Sequence, residues 1–162
     1  MDDPVVRRAH AGESDAVAAL FRLSKETALP YLPDLHTPEE DRAFFRERVF
    51  ETCEVWVAER NGLLVGFCAF REGWIDQLYV HPANQRTGVG AALLRKAMHA
   101  NERLQLWTFQ RNEQARAFYE AHGFTCAKMT NGSDNEEREP DVLYAWSSNS
   151  RISLVSSKPK RS

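Results

Sequence analysis

The stretch LYVHPANQRTGVGAALL, residues 78–94, runs from an apolar segment through a polar loop with two glycines into a second apolar segment. The first turn of a helix carries amide groups without intrahelical acceptors, and the helix dipole adds positive potential there. The glycines at positions 88 and 90 would let an anion approach that backbone with no Cβ in the way. The stretch therefore predicts a strand, a turn suited to an anion, and a helix.

The glycine turn fits neither of two common phosphate-binding motifs. A dinucleotide-binding Gly-x-Gly-x-x-Gly would need its third glycine where the chain has Leu93. A P-loop would need Gly-Lys-Ser or Gly-Lys-Thr, which does not follow Gly90. The two glycines alone leave two readings open: a phosphate site, to which Arg86 would add a charged donor, and a tight turn that binds nothing.

The composition is that of one soluble globular domain, with 162 residues of which 43% are hydrophobic and 27% are charged. We expect this domain to span residues 1–147 and a disordered, serine- and lysine-rich tail to span residues 148–162. The net charge of −2 disfavours a nucleic-acid partner. No apolar run reaches the ~20 residues that cross a bilayer, and no apolar leader follows Met1, so we expect a cytoplasmic protein with no membrane partner.

Hydrophobic spacing and turn residues predict the element order β-α-α-β-β-β-α-β-α-β-β. Residues 37–40, Thr-Pro-Glu-Glu, are typical of a capped helix N-terminus. The helix that follows would have an apolar face made of Phe44, Phe45, Val49 and Phe50. Because three consecutive strands precede the first strand-helix-strand crossover, we expect an α+β fold with a mixed sheet instead of a doubly wound one.

The cysteines predict neither a disulfide nor a metal site. Asn61-Gly62 is typical of a two-residue hairpin turn. Such a turn would place Cys68 opposite Val55 and Cys53 opposite Phe70, so these two cysteines would not face each other. The three cysteines also lack metal-ligand spacing, and we expect free thiols in a reducing compartment and no bound metal.

Two segments resemble the GNAT superfamily of N-acetyltransferases. Residues 78–94 resemble its acetyl-CoA signature, an apolar strand ending in Val-x-Pro, a short loop, Gln/Arg-x-x-Gly-x-Gly/Ala and a helix. The downstream segment NEQARAFYEAHGF resembles the second motif of the family through Asn112, Ala115, Phe118, Tyr119, Gly123 and Phe124. The resemblance covers residues 78–124, and it implies the acyl-CoA N-acyltransferase fold with acetyl-CoA as co-substrate.

The resemblance also implies which residues bind the co-substrate. Backbone groups at the end of the fourth strand would bind the pantetheine arm, much as an added strand would pair. Amides from Arg86 through Ala91 would hold the diphosphate. Residues of the second motif would approach the far end of acetyl-CoA. The implied binding residues are Leu78, Tyr79, Val80, Gln85, Arg86, Thr87, Gly88, Val89, Gly90, Ala91, Asn112, Ala115, Phe118 and Tyr119.

The implied reaction is direct attack of an amine on the acetyl group within a ternary complex. Tyr119 matches the tyrosine that would protonate the leaving thiolate, although its spacing alone fits a tyrosine packed in the core. Asp76 is the predicted base, with His36, Glu59 or a relay of water molecules as alternatives. The amide of Val80 or of Tyr79 would stabilise the oxyanion.

The sequence says less about the amine. Tyr31, His36 and Trp74, with Trp107, are candidates to line the acceptor site. The acidic residues 134–141 would suit a cationic small molecule or a peptide amine, or they are a solvated hairpin connection. A catalytically idle acyl-CoA-binding module remains the alternative function, and a homodimer is possible by analogy with the fold.

Overall fold

The computed structural model describes residues 3–148. Its strands are β1 (Val5–Arg8), β2 (Glu54–Arg60), β3 (Leu63–Arg71), β4 (Trp74–Val80), β5 (Arg103–Phe109), β6 (Thr125–Thr130) and β7 (Asp141–Ser147). Its α-helices are α1 (Ser14–Ala28), α2 (Pro38–Phe44), α3 (Phe50–Thr52), α4 (Val89–Ala100) and α5 (Glu113–Ala121). A π-helical turn at Phe45–Val49 joins α2 to α3, and short 3-10 turns precede α1 and the glycine turn. The predicted order of strands and helices is confirmed.

The described residues divide into two compact units. The first unit comprises residues 3–71 and 75–97, and the second comprises residues 72–74 and 98–148. The predicted single domain over residues 1–147 stays a prediction. Ser148, the first residue of the predicted tail, donates its amide to the Glu102 carbonyl at 2.9 Å, and the rest of that tail lies outside the described residues.

Each unit contains its own set of paired strands. In the first unit the strand order is β1-β2-β3-β4, and β2 is antiparallel to both β1 and β3. In the second unit β7 lies between β5 and β6 and is antiparallel to both. Trp74, at the start of β4, pairs in parallel with Gln105 of β5. Parallel and antiparallel pairing therefore occur together, which confirms the predicted mixed sheet of an α+β fold.

The core of the first unit lies where α1 and the π-helical turn cover β2 and β3. Four aromatic rings form its centre, with centroids 5.1 Å apart for Phe21 and Phe45 and 5.7 Å apart for Phe45 and Phe67. Tyr79 of β4 completes the group, 5.2 Å from Phe21 and 6.0 Å from Phe67. The end of β4 therefore packs into an aromatic cluster whose Phe45 and Phe67 rings are fully buried.

The helix predicted to follow an N-cap at Thr37 begins as expected and then departs from the expected spacing. The Thr37 hydroxyl accepts the Glu40 amide at 3.1 Å, and the Glu40 carboxylate accepts the Thr37 amide at 2.8 Å, which is a capping box. Phe45 and Val49 are buried, but Phe44 is 44% exposed. The prediction that Phe44 belongs to the apolar face is wrong, because the π-helical turn changes the angular spacing of the residues it joins.

The hairpin of β2 and β3 has the predicted turn and an unpredicted irregularity. Asn61 and Gly62 have φ values of 56° and 79°, as a type I′ turn requires. Pairing then shifts between Ala58 and Glu59, where a β-bulge lengthens β3 by one residue. Every pair farther from the turn is offset by one position.

That offset corrects the predicted surroundings of the cysteines. Cys68 lies opposite Trp56, and Val55 lies opposite Ala69. The predicted pairs of Cys68 with Val55 and of Cys53 with Phe70 are therefore wrong, because a two-residue turn fixes the register only as far as the first bulge. All three cysteines are free thiols.

Candidate functional site

The glycine turn lies between β4 and α4 in the first unit. His81 follows β4, and its Nδ1 accepts the Ala83 amide at 3.0 Å, which caps the 3-10 turn at Pro82–Asn84. Arg86 and Gly88 then adopt left-handed backbone conformations, with φ values of 65° and 91°. Such a conformation is uncommon for a residue with a side chain, and it turns the chain sharply before α4 begins.

The start of α4 has the properties that a diphosphate needs. The Ala92 amide donates to the Gly88 carbonyl at 3.1 Å, so the amides of the three preceding residues lie before the helical hydrogen-bond series. A Cβ added to Gly88 would meet no heavy atom within 4 Å, so the space beside it is open. Unused amides, a positive helix end and an open approach fit an anionic group such as the diphosphate of coenzyme A.

A glycine that the sequence analysis did not single out holds α4 in place. A Cβ added to Gly66 of β3 would lie 2.8 Å from Cγ1 of Val89 and 3.0 Å from Cδ1 of Leu93. Val89 and Leu93 are both buried. Only a residue without a Cβ therefore lets the first turn of α4 pack this closely on β3.

The backbone at the end of β4 distinguishes the two predicted oxyanion donors, the amides of Tyr79 and Val80. The His81 amide donates to the Val65 carbonyl of β3 at 2.8 Å, and the Tyr79 ring stacks on the Phe67 ring of β3. Amide groups alternate in direction along a strand, so those of Tyr79 and His81 point toward β3. The amide of Val80, which lies between them, points away from β3 and is not used in that pairing.

The predicted base, Asp76, is an ion-paired carboxylate. Its Oδ2 accepts Nε of Arg71 at 2.7 Å and Sγ of Cys53 at 3.4 Å. The hydrogen bond to Asp76 raises the pKa of Arg71, and burial is the main cause of the raised pKa of Cys53. Both contacts fall on Oδ2, so Oδ1 is the oxygen that can accept a further proton.

The two alternative side chains for the base are also paired. The Glu59 carboxylate accepts Nε of Arg7 at 2.7 Å on the β1–β2 pair. Nδ1 of His36 lies 3.7 Å from the carboxylate of Glu40, one turn along α2, and both side chains are largely exposed. Of the three, only Asp76 lies on the strand that leads to the glycine turn.

The α1–α2 loop, residues 29–37, contains the predicted acceptor residues Tyr31 and His36. It is held by Arg22 of α1, which contacts Asp34 at 2.8 Å, the His36 carbonyl at 3.2 Å and Asp41 of α2 at 2.7 Å. The hydrogen bond to Asp41 raises the pKa of Arg22. One guanidinium thus fixes this loop to both of the helices that flank it.

The same guanidinium lines a cavity of about 240 Å³ between α1 and α2. Asp15, Leu23, Glu26 and Arg42 also line it, whereas Tyr31 and His36 do not. The cavity therefore contains neither the predicted acceptor residues nor the glycine turn. Its position does not indicate the reactive centre.

The second unit holds the residues of the second motif. Asn112 caps α5, because its Oδ1 accepts the Ala115 amide at 3.2 Å. Tyr119 is 7% exposed, and its ring meets Phe118 and Phe124 edge-on at centroid distances of 5.2 and 5.4 Å. The motif therefore builds the helix and the aromatic packing around Tyr119.

The predicted site residues are distributed over both units. The first unit contains Tyr31, His36, Asp76, Leu78, Tyr79, Val80, Gln85, Arg86, Thr87, Gly88, Val89, Gly90 and Ala91. The second unit contains Trp74, Asn112, Ala115, Phe118 and Tyr119.

The acidic stretch at residues 134–141 is an ordered connection within the second unit. Glu139 accepts Nε and Nη2 of Arg111 at 2.8 and 3.0 Å, and the Arg111 hydrogen bond lowers the pKa of that carboxyl. Asp141 accepts the Asn135 side chain at 3.0 Å and also bonds to the Thr130 hydroxyl. These contacts favour the interpretation of the stretch as a hairpin connection.

Two broader features concern the whole described part of the chain. Over residues 3–148 there is no group of three or more His, Cys, Asp or Glu side chains able to hold a metal ion. None of the helices in this part combines the length and the apolar character needed to cross a bilayer.

Comparisons with known proteins agree with this geometry. The family model described as "Acetyltransferase (GNAT) domain" matches residues 51–126, which include the glycine turn and α5. The chain is 28% identical to the peptidyl-lysine N-acetyltransferase YiaC of Escherichia coli strain K12 over 146 residues, 88% of this chain and 96% of that protein. The chain is therefore similar to GNAT N-acetyltransferases over the segment that holds both motifs.

Solved structures of GNAT proteins share the fold. The apo form of YjaB from Escherichia coli superposes with a TM-score of 0.75 and 23% identity, covering 90% of this chain and 98% of that one. YncA from Salmonella typhimurium, whose structure holds acetyl-CoA, has a TM-score of 0.67 and 17% identity, covering 90% of this chain and 94% of that one. These likenesses confirm the predicted GNAT fold.

Proposed function

We propose that this protein is a GNAT enzyme that transfers the acetyl group of acetyl-CoA to a primary amine by direct attack within a ternary complex. The observation that carries the proposal is the turn at Arg86 and Gly88, where a left-handed backbone and an open face lead into the start of α4. YncA binds acetyl-CoA with the same fold, and YiaC is a peptidyl-lysine acetyltransferase. A lysine side chain in a peptide is therefore the acceptor to test first, with small amines beside it.

In the proposed complex the backbone does most of the binding. The amides from Arg86 through Ala91 hold the diphosphate, and the end of β4 pairs with the pantetheine arm as an added strand would. The Val80 amide stabilises the oxyanion, and we favour it over Tyr79 because it points away from β3. One well-placed donor of this kind contributes about 3 kcal/mol to transition-state stabilisation.

The reaction removes two protons from the amine nitrogen and adds one to the sulfur. An alkyl ammonium group has a pKa of about 10 and must lose a proton before its nitrogen attacks the acetyl carbon. The new C–N bond then forms as the C–S bond breaks, the thiolate of coenzyme A takes up a proton, and the nitrogen loses its second proton to water to leave the neutral amide. We assign the protonation of the thiolate to the Tyr119 hydroxyl and the first deprotonation of the amine to Oδ1 of Asp76, directly or through water.

The assignment of Asp76 rests on the geometry of its carboxylate. The guanidinium of Arg71 and the thiol of Cys53 both hold Oδ2, which leaves Oδ1 outside these two contacts and orients it. Water molecules between the amine and Asp76 are part of the proposal.

Release of free thiol from acetyl-CoA, measured with peptides that contain lysine and with a panel of small amines, tests the proposed activity. Calorimetry with acetyl-CoA measures binding separately from turnover. We expect binding and turnover on at least one class of amine. Binding without turnover on every amine would favour an idle acyl-CoA-binding module, and absence of binding would reject the proposal.

Substitution of Tyr119 by Phe tests the proposed acid. The ring packing against Phe118 and Phe124 is kept and only the hydroxyl is lost. General acid catalysis contributes roughly a hundredfold or more, so kcat should fall by about that factor while the Kd for acetyl-CoA changes less than twofold. Unchanged turnover would leave Tyr119 with a packing role only.

A further inference from the structure

We propose that Arg60 is a positioning residue that holds the diphosphate-binding turn through Thr87. The inference deepens the proposed function and depends on it. Arg60 is the last residue of β2, it lies next to the Asn61-Gly62 hairpin turn, and it is only 8% exposed. An arginine so far buried is rare in proteins, because its charge must be stabilised by nearby groups.

One contact between Arg60 and the turn is made by the Thr87 hydroxyl. Nη1 of Arg60 donates to Oγ1 of Thr87 at 3.2 Å. Oγ1 of Thr87 in turn donates its proton to the carbonyl of Asn84. The guanidinium has only donors and the Asn84 carbonyl only accepts, so the hydroxyl accepts from Arg60 and donates to the turn. Thr87 thereby links Arg60 to the Asn84 carbonyl.

Thr87 lies at the position in the turn where a hydrogen bond would do most to hold the backbone conformation. It lies between Arg86, with a φ of 65°, and Gly88, with a φ of 91°. Left-handed conformations are disfavoured for residues with a side chain and persist when surrounding contacts impose them. The hydrogen bonds from Arg60 to Thr87 and from Thr87 to Asn84 are contacts of that kind, and they tie the turn to the end of β2.

The consequence for binding is preorganisation. A turn already held in its binding conformation gives the diphosphate its amide donors without the cost of ordering them. The buried positive charge also adds to the potential at the turn, which favours an anion. Loss of the contact should therefore weaken the binding of ligands that carry the diphosphate and leave the pantetheine arm unaffected.

Two substitutions test the contact from its two sides. Thr87→Val removes the hydroxyl with little change of volume, and Arg60→Met removes the charge and the donors. Arg48→Met is the matched control, because Arg48 is an exposed arginine on the π-helical turn of the same unit. Calorimetry with coenzyme A measures the affinity, and deuterium uptake by peptides that cover residues 84–92 measures the order of the turn in the free protein.

We expect Thr87→Val to raise the Kd for coenzyme A about tenfold and to speed deuterium uptake over residues 84–92, while Arg48→Met changes neither. The losses of affinity caused by Arg60→Met and Thr87→Val should be less than additive in the double variant, because both changes break the same contact. Inhibition of the native protein and the variants by pantetheine, which lacks the diphosphate, should be equal.

Native affinity for coenzyme A together with native uptake in a folded Thr87→Val protein would overturn the inference, even if Arg60→Met failed to fold. An equal loss for coenzyme A and for pantetheine would overturn it as well, because a general loss of structure would then be the cause. If the native protein itself binds no coenzyme A, the proposed function fails and this inference fails with it.

Discussion

The glycine turn and the α1–α2 loop belong to the same unit, yet they are held in shape in opposite ways. The turn is specified mainly by its own residues, with left-handed backbone at Arg86 and Gly88 and a helix that begins directly after them. The loop is specified by Arg22, whose contacts lie 12, 14 and 19 positions along the chain. A local backbone conformation leaves a motif in the sequence, whereas a distant guanidinium leaves none.

This difference predicts how each region responds to substitution. Any side chain that is strained at the backbone angles of the turn should weaken the binding of acetyl-CoA, whatever the chemistry of that side chain. Substitutions within the loop should change the KM for the amine little. Loss of a single arginine outside the loop should raise that KM. Three substitutions, in order of decreasing effect, separate these two behaviours.

The largest effect is expected for Gly88→Val. A β-branched residue at a φ of 91° is strained even though the space beside Gly88 is open. A strain of ~2 kcal/mol corresponds to a loss of about thirtyfold in affinity for acetyl-CoA, measured by calorimetry. Gly12→Val is the control, because Gly12 also has open space beside it and has no left-handed φ. Native affinity in Gly88→Val would show that the turn does not bind the co-substrate.

An intermediate effect is expected for Arg22→Met. Loss of the contacts to Asp34 and Asp41 frees the loop that carries Tyr31 and His36, so the KM for the amine should rise about fivefold. The Kd for acetyl-CoA should not change. Arg42→Met is the control, since Arg42 pairs with the neighbouring Glu39 of its own helix α2, at 3.5 Å. A native KM in a folded Arg22→Met protein would mean that the loop does not contribute to the acceptor site.

The smallest effect is expected for Thr37→Ala at the end of the same loop. It removes the N-cap of α2 and should lower the free energy of unfolding by about 1 kcal/mol, measured by urea denaturation. Arg22 still ties Asp41 to α1, so the KM for the amine should stay within twofold of the native value. A KM that rose as far as in Arg22→Met would assign the loop conformation to the cap and not to the arginine.

Predictions from sequence succeeded where a few adjacent residues carry the physical cause. The capping box at Thr37, the positive φ values of Asn61 and Gly62, and the strand-turn-helix around Gly88 were all readable in this way. The element order followed from hydrophobic spacing. It did not reveal the π-helical turn that leaves Phe44 exposed, because an inserted residue has no hydrophobic signature.

The candidate site was predicted less completely than the fold. Resemblance predicted residues that would act through backbone groups, but it did not predict Gly66 and Arg60, which contact the turn and the start of α4 from β3 and β2. A glycine within a strand is a weak signal of a close backbone approach, and Gly66 could have been found by it. Arg60 carries no such signal, since its burial is decided by elements that lie far away in sequence.

The amino-acid sequence by itself determined the order of strands and helices and the strand-turn-helix around Gly88, because these depend on local backbone preferences and hydrophobic periodicity. Tertiary structure alone decided the register beyond the bulge in β3, the pairing of Asp76 with Arg71, and the support of two loops by Arg22 and Arg60. Those features need side chains from separate elements to meet within hydrogen-bonding distance. Packing brings them together, and no spacing along the chain encodes that meeting.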